Sequence, residues 1–153
     1  MSGATIFDVA KYLLEKKGEI TAMKLQKLAF YVKAWGLVWD EEEIFMEDFQ
    51  AWANGAVSPV LYNKHRGMFK VCATLFSEAD ITNLEKEHQE TIDKVLEFYG
   101  NYTAQQLSDI NHQESPWKDA RGNLPATARS SEVITTAAIA EYYSGVWNDV
   151  EGE

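Results

Sequence analysis

A chain of 153 residues with 46% hydrophobic and 12% aromatic residues carries the core material that disordered sequences lack, and at this length folding buries roughly 70% of the unfolded surface. Its 14 Lys plus Arg against 24 Asp plus Glu give a formal charge of −10, which repels phosphate backbones and anionic lipid and attracts basic proteins. One cysteine, Cys72, excludes an intrachain disulfide and a thiolate metal cluster and fits a reducing cytoplasm.

The N-terminus enters an amphipathic pattern directly, with no basic leader and no long apolar run, so one unexported domain over residues 1–153 is expected, away from the membrane. From Thr5 to Lys17, Ile6, Val9, Ala10, Leu13 and Leu14 recur at helical spacing, with Thr5 placed to cap and Gly18 to terminate. A second stripe, Leu25, Leu28, Ala29, Val32, Trp35, Gly36 and Trp39, follows a Thr21 cap and leaves Lys24, Lys27 and Lys33 off that face. The acidic run Asp40 to Glu43 ends it.

Residues 47–53 predict a short extended piece bounded by Asn54-Gly55, and Ser58-Pro59 predicts the start of a short helix carrying Val60, Leu61 and Tyr62. Residues 68–76 are apolar and read as a strand. Leu84, His88, Thr91, Ile92, Val95, Leu96 and Tyr99 make a further helical face, and Thr103 with Gln106 have capping-box spacing for the next helix. Residues 118–129, holding Gly122 and Pro125, predict a surface loop. A last helix is expected over 131–147 with Ile134, Ala137, Ala138 and Tyr142 inward, before an acidic tail that frays after Asn148. The fold class is mainly α, with about five to seven helices and at most a small β element around 47–53 and 68–76.

The most enzyme-like group is His112-Gln113-Glu114, since a histidine and a carboxylate two residues apart could poise a base. The competing reading has both holding the turn that presents Trp117 through local backbone bonds. No metal or other cofactor is expected: His65, His88 and Cys72 sit in separate segments without ligand spacing. No phosphate loop, nucleophile elbow or HExxH is present. Residues 13–30 could pass for a helix-turn-helix, but the would-be recognition helix runs on into Trp35 and Trp39 and the chain is acidic, so no nucleic-acid partner is expected.

Three blocks together carry a resemblance. They are Lys24-Leu25-Gln26-Lys27-Leu28 with Tyr31; Ala51-Trp52-Ala53-Asn54-Gly55-Ala56-Val57-Ser58-Pro59-Val60-Leu61-Tyr62; and Leu107 to Arg121, with His112-x-Glu114-x-Pro116-Trp117 then Ala120-Arg121. In this order the chain resembles the Panacea domain family, also known from the SocA proteolytic adaptor and the GepA phage-associated proteins. Ala56 stands where many relatives carry proline, which is expected to loosen the turn.

The resemblance implies a helical antitoxin, often prophage-encoded, that neutralises a protein toxin from an adjacent gene by direct contact. As alternatives it implies an adaptor delivering that toxin to a cytoplasmic protease, or a prophage-encoded interaction protein of another role. Some relatives carry an added DNA-binding domain, which is not expected here. Trp52, Tyr62 and Trp117 are the candidate toxin contacts, because aromatic anchors dominate protein interfaces. Lys24, Leu25, Lys27, Leu28, Gly55, Val57, Pro59, His112, Glu114, Pro116 and Arg121 are the motif residues, structural or binding. A rival reading is an enzyme using His112 and Glu114 to reverse a toxin's modification.

Overall fold

Local signals start and stop the first helix. In the computed structural model, which describes residues 3–151, the Thr5 side chain accepts from the Phe7 N–H at 3.2 Å and Asp8 accepts from the Thr5 N–H at 2.9 Å. Helix α1 (Ile6–Lys17) follows and ends at Gly18, whose φ of 84° suits a residue without a Cβ. Thr21 then accepts from the Lys24 N–H at 3.1 Å and opens α2 (Ala22–Trp39).

Helix α2 is the axis of the molecule, and every residue from Leu25 to Gly36 is buried. The polar face expected for Lys27 and Lys33 is therefore absent: both are 1% exposed. Elements pack on all sides of α2, so each ammonium must find carbonyls inside the protein. Lys33 Nζ donates to Phe45 O at 3.1 Å and Glu47 O at 3.0 Å and pairs with Glu43 at 3.2 Å, which straps the acidic run to the helix. Lys27 reaches the other way, toward a hairpin.

That hairpin is β2 (Phe49–Trp52) and β3 (Gly55–Val57), paired antiparallel with Ala51 opposite Ala56 and Trp52 opposite Gly55. The far side of β2 pairs with a two-residue strand (Val133–Ile134), giving the order β3, β2, last strand. The helix expected over 131–147 is corrected here. Residues 133–134 are strand, and the helix runs Thr136–Glu151, through the tail expected to fray, with residues 152–153 outside the described set. Its inward face is shifted by one residue: Ile139 and Tyr143 are buried, Tyr142 is half-buried and Ala137 is exposed.

Ser58 accepts from the Leu61 N–H at 3.2 Å and starts α3 (Pro59–His65), as its Ser-Pro pair predicts. Within 68–76 only Lys70–Val71 is strand (β4), paired with Ile20–Thr21 (β1), and residues 73–76 form a 3₁₀ turn. A second 3₁₀ turn covers 81–83. Helices α4 (Lys86–Tyr99) and α5 (Ala104–His112) follow, α5 opened by the reciprocal Thr103–Gln106 cap. Helix α6 (Ser115–Arg121) occupies the start of the expected 118–129 loop, with Glu114 at its N-cap position and Pro116 in its first turn. Numbering in chain order makes Val133–Ile134 β5 and the final helix α7. The fold is mainly α, and no described helix is long and apolar enough to cross a membrane.

Candidate functional site

The three sequence blocks converge on the β2–β3 hairpin and hold its backbone from behind. An edge strand leaves alternate N–H and C=O groups unpaired, and buried ones need partners. Here side chains supply them. Asn111 Oδ1 accepts from the Ala56 N–H at 2.7 Å, and Lys27 Nζ donates to Ala56 O at 3.1 Å. Gln26 brackets Ser58, accepting from its N–H at 2.8 Å and donating to its carbonyl at 3.1 Å. At the turn the Ser108 hydroxyl donates to Asn54 O at 2.7 Å. On the β2 side Trp117 Nε1 donates to Trp52 O at 2.8 Å and Arg121 Nη1 to Ala51 O at 3.0 Å.

Gly55 belongs to this clamp for a steric reason. Its φ is +113°, and a Cβ there would lie 2.6 Å from Lys27 Cε and 2.9 Å from Asn111 Oδ1. Ala56, expected to loosen the turn, is instead held on both its N–H and its carbonyl. A proline at 56 would remove the donor that Asn111 binds. Burial lowers the Lys27 ammonium to about 7, because desolvation disfavours the charged form and one carbonyl does not offset it.

A second arrangement lies behind the clamp. Glu114 Oε1 accepts from the Tyr31 hydroxyl at 2.7 Å and the Tyr143 hydroxyl at 2.7 Å, and Tyr31 stacks on Tyr99 at 4.2 Å. Burial raises the Glu114 carboxyl, while Tyr143, Tyr31 and Asn111 pull it back down. Burial and the nearby carboxylate raise both Tyr31 and Tyr143. The expectation that Glu114 bonds local backbone is thus corrected: it ties α2 to α7 through two tyrosines. His112 stacks on Trp117 at 4.1 Å, and burial lowers its imidazole. Glu114 and His112 engage different partners, so they do not form an acid–base pair.

Of the three aromatic residues chosen as partner contacts, Trp117 is 6% exposed and offers no surface. Trp52 and Tyr62 are half-buried and meet edge to face at 5.0 Å. Leu25, Leu28 and Val57 are core, Pro116 is buried and Pro59 is half-buried. Lys24 donates to Gly100 O at 2.6 Å, fastening the turn between α4 and α5. Arg121 also gathers a loop: Nη2 donates to Pro125 O at 2.7 Å, Ala126 O at 3.3 Å and Ala128 O at 2.7 Å. Gln26, Ser108 and Asn111 were not singled out as site residues. Their signal was a polar residue at a buried position of an amphipathic helix.

Among the described residues, Glu42, Glu85 and His88 bring potential metal-ligand atoms within 4.8 Å of one another. His88 Nε2 is bonded to Glu42 at 2.6 Å, and Thr91 donates to Asp40 at 2.7 Å. These contacts fasten residues 40–42 to α4.

Motif residues from α2, α5 and α6 thus converge on one hairpin and hold its backbone. The family model for the antitoxin SocA-like Panacea domain matches residues 25–118, and the chain belongs to that family of antitoxin-like domains. No curated protein matches the chain, and no solved structure matches it.

Proposed function

We propose that this protein is a non-enzymatic cytoplasmic antitoxin that neutralises a protein toxin by covering it with the face of the β2–β3 hairpin. The observation that carries the reading is the clamp. Gln26, Lys27, Ser108, Asn111, Trp117 and Arg121 fix the hairpin backbone from inside, and Trp52 and Tyr62 remain at its outer surface. Rigid, half-buried aromatic residues are the usual anchors of an interface of about 1,600 Å² in total. Tyr143 ties α7 to the same scaffold through Glu114, which supports reading the chain as one domain.

The test is growth of cells expressing the gene beside this one, with and without this protein. Rescue from toxicity, with a toxin lifetime that is unchanged or longer, is the expected result. Rescue with a shortened lifetime would move the mechanism to delivery of the toxin to a protease. A harmless neighbour, or toxicity without rescue, would overturn the antitoxin reading.

A further inference from the structure

The outer surface beside Trp52 and Tyr62 is a cleft of about 650 Å³. The chain contains three arginines. Arg121 is buried in the clamp, and the other two, Arg66 and Arg129, both line this cleft. Each is exposed, and neither makes a side-chain hydrogen bond or ion pair among the described residues. No Asp or Glu lines the cleft, although the chain carries 24 of them, and Glu132 nearby in sequence lies outside it. Ser130 and Ser131 complete its wall.

The two arginines come from different segments of the chain. Arg66 follows the last turn of α3, and Arg129 sits on the loop whose carbonyls at 125, 126 and 128 are gathered by Arg121. A guanidinium presents donors in a planar fork that fits a carboxylate in bidentate fashion. We infer that this cleft receives an acidic segment of the partner protein. Arg66 and Arg129 pair with its carboxylates, and the Trp52–Tyr62 edge packs against its apolar side chains. This deepens the antitoxin reading by specifying the chemistry of the contact. The acidic body of the antitoxin favours a partner that is otherwise basic, with a local acidic stretch that enters the cleft edged by Arg66 and Arg129.

The test uses ¹⁵N NMR of the whole protein, with a peptide of alternating Glu and Leu, its Gln-for-Glu counterpart, and pyrophosphate as probes. The acidic peptide is expected to shift the Trp52 indole and the Arg66 and Arg129 Nε–H resonances. The Gln peptide, or an R66E/R129E variant with unchanged circular dichroism, is expected to bind at least tenfold more weakly. Equal binding of the Gln peptide, shifts elsewhere only, or no binding by millimolar peptide would overturn the inference. Saturation by pyrophosphate without peptide binding would instead make the cleft a phosphate site. Rescue in cells without peptide binding sinks the acidic-segment inference alone, and peptide binding without rescue sinks the antitoxin reading alone.

Discussion

Replacing Gly55 by alanine should strike the clamp at its tightest point. The new Cβ would sit 2.6 Å from Lys27 Cε and 2.9 Å from Asn111 Oδ1, the two side chains that hold Ala56. An L-residue at φ +113° costs about 1–2 kcal/mol. Displacing two buried hydrogen bonds adds about 1 kcal/mol each, so the expected loss is about 3–4 kcal/mol. For a chain of this size each kcal/mol lowers Tm by about 2–4 °C, so melting should fall by about 6–16 °C. Gly18→Ala is the control, because Gly18 has φ +84° with open space around it and isolates backbone strain from the clash. The assay is urea unfolding of both variants followed by tryptophan fluorescence. If Gly55→Ala is no more destabilising than Gly18→Ala, the hairpin is not held as described.

Other expectations follow from the same geometry. Lys27 has a folded pKa of about 7, below its unfolded value, so above pH 7 the unfolded chain holds a proton the folded one lacks. Its contribution to stability should therefore rise with pH from about 7 to 9.5 by up to ~1.4 kcal/mol per unit, and vanish as pH falls through 7. Lys27→Met, measured by urea unfolding at both ends of that window, should lack this rise; an unchanged slope would show that another group supplies it. Glu114→Gln keeps an acceptor for both tyrosine hydroxyls and should cost less than about 1 kcal/mol, whereas Glu114→Ala leaves two buried hydroxyls unpaired at about 2–4 kcal/mol. Toxin neutralisation should survive both Glu114→Gln and His112→Asn in a growth assay, and its abolition by either in a folded variant would revive catalysis. Arg121→Lys cannot span the four carbonyls that Arg121 binds. It should cost about 2 kcal/mol and speed hydrogen exchange in residues 122–132; unchanged exchange there would contradict its role in holding the loop.

Features set by neighbours along the chain were legible in the sequence. The Thr5, Thr21, Ser58 and Thr103 caps act within three residues of themselves, so residue order specifies them. What escaped depends on distant parts of the chain. Lys27 and Lys33 read as surface residues, because charge normally marks a solvated face; only the elements wrapped around α2 make them internal donors. Val133-Ile134 fits a helical period, yet Phe49 and Gln50 pair with it across more than eighty residues and make it strand. Gly55-Ala56-Val57 is too short for alternation to appear, and its strand conformation rests on β2 and the clamp. The motif was visible as a set of residues, and its job of holding backbone was not, because carbonyls leave no mark in a sequence. Trp117 reads as a contact in sequence because exposed and buried tryptophans look alike there.

The hairpin face is where the partner is expected to dock. The most direct measurement is hydrogen exchange by mass spectrometry on this protein alone and mixed with the neighbouring gene product. Protection concentrated in residues 49–66 and 122–132 is the expected result. A complex that leaves both segments unchanged and protects another face would contradict the account.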